Sequence, residues 1–414
     1  MINKSDDRAG AVDAAPQEGA EVPDALVLCA AYEPGFKQGG PVRSLGNLLP
    51  ALQRYIRVAV ITLDHDLGER EPLQGIISNR WQTRSGVAVL YMSAGPLWLP
   101  RFINALFRTR ARVLYLNSFF DWRFAILVLL LRRCGLFGDR KVILAPRGEF
   151  SRGALALKAR KKRFYLALFR WLRVGRGLIW HATSPLEADD IRREIGGAAE
   201  VVIAPNVPDL RLVDTPHSSS EKMTGRLSAV YLSRISPKKN LAAAIEALSF
   251  VKERITFAVY GPIGDSSYWD RCLALASKLP DNVHFHYLGA VEHSGVQDVL
   301  AKAELFVLPT LGENYGHAIV EALLCGCPVL VSDQTPWTEL EERGAGWCIA
   351  PAAVRDIAAR IDECARLPGN EHNSMRKAAA LYGQKIADIE NLLDDYLRMF
   401  TPEKGRSDRV RTSP

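Results

Sequence analysis

No apolar run in this chain is long enough to cross a membrane. The longest, Phe124 to Leu131, is far short of the roughly 20 residues a spanning helix needs. The first 24 residues are polar, acidic and rich in alanine, glycine and proline, without the apolar stretch of a signal peptide. A disordered leader (1–24) and a protein kept in the cytoplasm are therefore expected. No Cys-x-x-Cys occurs among the seven cysteines, and Cys325 and Cys327 are too close for the usual metal spacing. With an odd count and mostly apolar surroundings, the cysteines are expected to be buried free thiols. There is no internal repeat, and no nucleic-acid-binding motif accompanies the positive charge, so nucleic acid is not an expected partner.

What remains is an ordinary globular composition, 48% hydrophobic and 24% charged, over 414 residues, enough for two or three domains. The net charge of +7 is unevenly spread. Residues 25–205 carry 28 Lys+Arg against 13 Asp+Glu, whereas residues 206–414 carry 23 against 27. A basic first half beside a mildly acidic second half implies an anionic partner for the first half.

Short, nearly continuous apolar runs alternate with helical patterns, as strands of a parallel sheet covered on both faces should. In the first half they are Leu26–Ala30, Val58–Thr62, Val87–Tyr91, Val113–Leu116, Val142–Ala145, Leu178–His181 and Val201–Ala204. The segment 206–226, with Pro208, Pro216 and Ser218–Ser220, reads as a linker. A second series follows: Leu227–Leu232, Ile255–Tyr260, Val283–Tyr287, Leu305–Pro309, Pro328–Val331 and Trp347–Ile349. Two such series predict two doubly wound α/β domains, at 25–205 and 227–400, facing across a cleft, with a polar tail at 401–414. The last helix is expected to be able to pack back on the first domain.

The strongest motif runs from Pro309 through Glu313, Asn314, Tyr315, Gly316, His317 and Glu321 to Gly326 and Pro328. A strand ends at Pro309, a loop carries Glu313, and a helix begins near Gly316 with Glu321 two turns inside. Backbone N–H groups at a helix start suit an anion such as a diphosphate. Glu313 could accept hydrogen bonds from sugar hydroxyls and Glu321 from a ribose diol; a surface carboxylate and a solvated helix carboxylate are the plainer alternative. A second motif, Arg234 to Asn240 with Arg234 and Lys239 five apart, follows a strand and could place both cations on one diphosphate; a solvated basic turn is its alternative. A third is the first loop, Glu33 to Pro41, where Gly39 and Gly40 allow close backbone approach to a phosphate and Arg43 adds charge.

The Glu-x7-Glu motif with its following Gly-x-Pro-Val strand resembles the retaining glycosyltransferases of family 4, over roughly residues 26–400. The resemblance implies the GT-B fold of two Rossmann-like domains and a nucleotide-diphosphate sugar as donor, without a metal or other cofactor. It places Glu313 on the transferred sugar, Glu321 on the ribose, the backbone of Asn314, Tyr315, Gly316 and His317 on sugar and phosphates, and Arg234 and Lys239 on the diphosphate. Asn240 stands where the family usually has glycine, and asparagine also tolerates left-handed backbone angles. Gly39 and Gly40 resemble the family's first-domain phosphate loop, Gly261 its second glycine loop, and Gly289 the strand end that meets the nucleobase. Arg147, where the family often has histidine, is the candidate first-domain contact; His181 reads as a core histidine. Asp64-His65-Asp66 mimics the metal-binding Asp-x-Asp of another fold but lacks a phosphate-binding context.

The stretch 152–176 holds nine basic residues, among them Lys158, Lys161, Lys162 and Arg163, interleaved with Phe164, Phe169 and Trp171, and no acid lies between Glu149 and Glu187. Such a pattern reads as docking on an anionic membrane surface, or as a core-packed helix with a solvated basic face. The expected function is transfer of a sugar from a nucleotide sugar to a glycan, lipid-linked, in surface polysaccharide assembly, with peripheral attachment to the inner face of the cell membrane. A nucleotide-sugar epimerase, a phosphorylase or a catalytically silent glycan- or membrane-binding scaffold are the alternatives.

Overall fold

The computed structural model describes residues 22–156, 159–209 and 222–401. Among the described residues there are fourteen strands: β1 (Ala25–Leu28), β2 (Val58–Leu63), β3 (Trp81–Arg84), β4 (Val87–Met92), β5 (Val113–Asn117), β6 (Lys141–Ala145), β7 (Ile179–Ala182), β8 (Glu200–Ile203), β9 (Arg226–Leu232), β10 (Arg254–Tyr260), β11 (Val283–Tyr287), β12 (Leu305–Leu308), β13 (Val329–Ser332) and β14 (Gly346–Ile349). Every run named above as a strand candidate is a strand, whereas the longest apolar run, Phe124 to Leu131, is helical. β3 was not foreseen: its Trp-Gln-Thr-Arg sequence is half polar because it is an edge strand, antiparallel to β4.

Two sheets result. The first has the order β3-β4-β2-β1-β5-β6-β7-β8, with parallel pairing from β4 through β7. The second, β11-β10-β9-β12-β13-β14, is parallel throughout. In each, the chain winds outward in one direction and then restarts on the other side of its first strand. The reversal falls between β1 and β5 in the first sheet and between β9 and β12 in the second. Loops leaving the carboxyl ends of the two strands diverge there, and the crevice they leave is where open α/β sheets bind ligands.

The chain divides into two compact units. One comprises Met1–Pro146, Val174–Trp180 and Tyr396–Pro414, the other Arg147–Arg173 and His181–Asp395. The end of the last helix, Ile389–Phe400, thus belongs with the first unit, where Phe400 stacks on Tyr115 at 5.3 Å. The predicted linker 206–226 lies largely outside the described residues, as do the leader up to residue 21 and the tail beyond residue 401. Among the described residues no helix is long and apolar enough to cross a membrane. No disulfide joins the seven cysteines; Cys29, Cys272, Cys325, Cys327 and Cys364 are buried, Cys348 half-buried and Cys134 exposed.

His181, on β7, is a core histidine: it is fully buried and its Nε2 meets the Ala204 carbonyl at 2.8 Å. Burial, reinforced by the nearby Arg147 charge, pushes its pKa down to about 3. The fold therefore holds it neutral, while the unfolded chain protonates it below about pH 6.5, so stability falls as pH drops from there toward 3. Chemical denaturation should show this group costing the fold about 2 kcal/mol between pH 7 and pH 5. His181→Asn should remove that part of the pH dependence; an unchanged dependence refutes the assignment.

Candidate functional site

β9 and β12 are neighbours at the switch point of the second sheet. The turn after β9 carries Arg234 and Lys239; the loop after β12 carries Glu313. After Leu232 the chain passes Ile235, which bridges to Ile263, makes one 3-10 turn at Pro237–Lys239, and turns through Asn240 into the helix Leu241–Leu248. After Leu308 it passes Thr310 and Glu313 and reverses through Gly316 (φ 77°) into the helix His317–Leu324.

The two loops are stitched together. The Lys238 carbonyl accepts from the Leu311 amide at 2.8 Å and from Thr310 Oγ1 at 3.0 Å. Asn240 Nδ2 donates to the Pro309 carbonyl at 2.9 Å, and Lys239 Nζ forms an ion pair with Glu313 Oε1. Behind the loop, Ser332 Oγ donates to the Thr310 carbonyl at 2.6 Å, and the Glu313 amide donates to the Gln334 carbonyl at 2.9 Å. Asn240 has φ 56°, the left-handed conformation expected of it. Its side chain also makes the Pro309 bond, which glycine could not.

Arg234 is exposed beside this network, Lys239 and Glu313 are half-buried, and Glu321 is buried. Glu321 is the fifth residue of its helix, in the second turn, one turn nearer the helix start than the sequence suggested. At the start of that helix the Gly316 carbonyl accepts from the amides of Ile319 (2.8 Å) and Val320 (3.2 Å). His317 packs against Tyr315 (ring centroids 5.0 Å), and Tyr315 against Trp337 (5.4 Å), whose Nε1 donates to the Tyr315 carbonyl. Gly261 follows β10 and must be glycine: a Cβ would stand 1.9 Å from the Ser233 carbonyl. Its amide donates to the Gly289 carbonyl at 2.8 Å, joining the loops after β10 and β11.

Arg147 belongs to the same compact unit. Its Nη1 donates to Asn206 Oδ1 at 2.7 Å. The next residue, Gly148 (φ 77°), packs so closely on Asn314 that a Cβ would be 2.4 Å from Asn314 Nδ2. The Gly148 amide donates to the buried Glu187 at 2.6 Å, and the other oxygen of Glu187 accepts from the Thr183 amide (2.8 Å) and hydroxyl (2.6 Å). Sequence reasoning missed Gly148 and Glu187. Glu187 follows the helix-capping Ser184 and reads as an ordinary first-turn carboxylate; the signal was Gly148 beside Arg147 at a strand end.

Gly39, Gly40 and Arg43 lie in the first unit, on the loop after β1 and the first turn of the helix Gly40–Leu52. Gly39 (φ 70°) is exposed, and a Cβ there would meet nothing within 4 Å. This loop is fastened by Asp66, whose Oδ2 accepts from the amides of Phe36 (2.7 Å) and Lys37 (2.9 Å) and whose Oδ1 accepts from Leu67 (2.8 Å). Asp64 accepts from Ser78 Oγ at 2.6 Å and contacts His65 Nδ1 at 2.8 Å. The Asp-His-Asp motif is a loop fastener.

The basic stretch forms two helices, Arg152–Ala156 and Ala159–Trp171. On the second, Phe164 is 72% and Trp171 77% exposed, with Lys161 and Arg163 also exposed. Phe169 departs from the expectation of exposure: with Leu166 it forms the buried stripe that seats the helix. Lys162 donates to the Ala154 carbonyl at 2.7 Å, tying the two helices together. Lys158 lies outside the described residues.

Residues 214–382 match the family described as glycosyl transferases group 1. The chain is 28% identical over 161 residues to the O-antigen chain mannosyltransferase B of Escherichia coli, covering 37% of this chain and 40% of that protein. It is 28% identical over 148 residues to the phosphatidyl-myo-inositol mannosyltransferase of Mycobacterium leprae, covering 35% and 37%. These alignments span about two fifths of the curated relatives' length. Solved structures match more broadly. Anabaena HepE with UDP and glucose aligns with TM-score 0.68 at 18% identity, over 91% of this chain and 98% of that one. WaaG, a glycosyltransferase involved in lipopolysaccharide biosynthesis, aligns with TM-score 0.62 at 14% identity, over 91% and 99%.

The Asn240 bond can be tested directly. Asn240→Gly should cost about 1 kcal/mol, the net worth of one hydrogen bond. Asn240→Ala should cost roughly 1–2 kcal/mol more, because alanine resists the left-handed conformation. Equal stabilities of the two variants in chemical denaturation would contradict this account. Residues 214–382 are similar to the glycosyl transferases group 1 family, and the chain carries the GT-B fold.

Proposed function

We propose that this protein is a retaining, metal-independent glycosyltransferase that moves a sugar from a nucleotide-diphosphate donor to a lipid-linked glycan acceptor in surface polysaccharide assembly. The observation that carries the reading is the junction at the second switch point. The turn after β9, with Arg234 and Lys239, and the loop after β12, with Glu313 and the helix start at His317, leave the two strands that flank that switch point, and Lys239 pairs with Glu313. HepE, of the same fold, was solved with UDP and glucose, which supports a nucleotide sugar as donor.

In this reading Arg234, Lys239 and the amides from Asn314 to His317 receive the diphosphate, Glu321 the ribose and Glu313 the transferred sugar, with the loops at Gly261 and Gly289 beside the nucleoside. Arg147, in the same unit, is a further polar contact; Gly39, Gly40 and Arg43 form a separate candidate phosphate loop in the first unit. The bond between the anomeric carbon and the phosphate oxygen breaks as the acceptor hydroxyl attacks from the same face. The hydroxyl proton passes to the departing phosphate oxygen. The cations offset the charge that grows on the leaving diphosphate.

Lys239→Ala should lower turnover with uridine- or guanosine-diphosphate hexoses by about 100- to 1,000-fold, equivalent to roughly 3–4 kcal/mol, and weaken donor binding. Activity should survive EDTA. Wild-type kinetics in the variant, or loss in EDTA with rescue by added metal, contradicts the reading.

The exposed Phe164 and Trp171 beside Lys161 and Arg163 support peripheral attachment to the anionic inner face of the cell membrane. Flotation with anionic liposomes should occur at low salt and fail at high salt. Equal flotation with neutral vesicles would show that charge plays no part.

A further inference from the structure

At the switch point of the first sheet, between β1 and β5, an arginine is held against two indoles. The loop leaving β5 turns through Asp121, whose carboxylate accepts from the amides of Arg123 (2.9 Å) and Phe124 (2.7 Å) and so caps the short π-helix Trp122–Ile126. That cap sets the direction of two side chains. The Arg123 guanidinium carbon lies 4.7 Å from the Trp122 ring centroid and 5.6 Å from that of Trp98. Trp98 opens the helix Trp98–Arg108 that follows β4, on the same edge of the sheet. It is buried, stacked on Phe102 at 4.8 Å and edge-on to Phe124 at 6.0 Å. The platform is therefore rigid.

Its polar groups are not satisfied internally. Among the described residues Arg123 has no ion pair, and neither its Nε nor Trp98 Nε1 has a hydrogen-bond partner. The acid on the same turn, Asp121, is engaged by the two amides. Indole faces attract a cation but accept no N–H in the guanidinium plane, so its edge is left for a planar or tetrahedral oxyanion. Residues 91–140 carry eight arginines against two aspartates, a field that favours an anion. The surroundings are also apolar where apolar groups are not expected: Leu97 is 57%, Leu99 48% and Trp122 56% exposed. The exposed loop of Gly39 and Gly40 leaves β1 on the same side of the switch point.

We propose that Arg123, Trp98 and Trp122, with Leu97 and Leu99, bind the head of an anionic amphiphile, a lipid phosphate. Its phosphate oxygens face the Arg123 guanidinium, and its first carbons cover Leu97, Leu99 and the open face of Trp122. The inference rests on the lipid-linked acceptor reading above and assigns to it a place in the first unit.

The test uses the full chain and decyl phosphate below its micellar concentration, with binding followed by tryptophan fluorescence. Inorganic phosphate and a neutral decyl glycoside are the comparison arms. Wild type should bind decyl phosphate at least about tenfold more tightly than either, because charge and chain act together. Arg123→Gln should lose about tenfold, Arg123→Lys should restore only part of it, and Leu97→Ser with Leu99→Ser should lose several-fold. UDP binding, which reports the second unit, should stay unchanged in all of them. Equal affinity of wild type and Arg123→Gln overturns the site, as does phosphate alone binding as tightly as decyl phosphate. Failure of the transferase reading registers separately, as absence of turnover of nucleotide sugars by the wild-type protein.

Discussion

The ion pair between Lys239 and Glu313 joins two loops that lie 74 residues apart in sequence, and the candidate site depends on it. Beyond one 3-10 turn at Pro237–Lys239, neither loop has regular structure to fix it. The turn after β9 is held by Ile235 and by the left-handed Asn240; the loop after β12 is held by Ser332 and Gln334. Without the pair, a half-buried ammonium and a half-buried carboxylate would each face an environment poor in water, a situation costlier than either charge in solution. Three hydrogen bonds, at Pro309, Thr310 and Leu311, then set the spacing of the loops. The result is a basic corner whose net charge is moderated by Glu313, with Arg234 left exposed beside it. Under the proposed reading, a diphosphate entering this corner would meet cations already oriented, so little reorganisation would accompany charge build-up on the leaving group.

Close approach of backbone is the second constraint. Gly261 lets the loop after β10 run against Ser233, and Gly148 lets the turn at Arg147 lie against Asn314. Both are places where a side chain would separate elements that have to touch. Glu187 plays the complementary part, holding the Gly148 and Thr183 amides from a fully enclosed position. Its charge is stabilised there by hydrogen bonds from the groups it orders.

Much of the architecture was legible because parallel strands covered on both faces leave continuous apolar runs, which is why thirteen strands could be located and the polar edge strand β3 could not. The two motifs of the second unit were legible because each combines a strand end, a turn residue and charge at fixed spacing. What escaped was whatever depends on a partner distant in sequence. Asp66 looks like half of a metal motif until Phe36 and Lys37 are seen donating to it. Phe169 looks like its neighbours Phe164 and Trp171 until the helix is seated on one face. Arg123, between two tryptophans, drew no notice as one arginine among many, since a cation–π arrangement with Trp98 joins the loops after two strands that are not neighbours.

The two sheets share a topology, yet their switch points carry different chemistry. In the second, cations are balanced by a carboxylate and supplemented by a helix start, an arrangement suited to a multiply charged group that must also depart; excess uncompensated charge would retain the product. In the first, the arginine stacks on aromatic faces and forms no ion pair with the nearby Asp121, whose carboxylate accepts from two amides, and exposed leucines and a tryptophan stand beside it. Apolar neighbours reward a ligand that brings carbon with its charge. The electrostatic balance at the two switch points therefore differs, and under the proposed reading the second suits a diphosphate that leaves with the nucleotide and the first a ligand held by both head and chain.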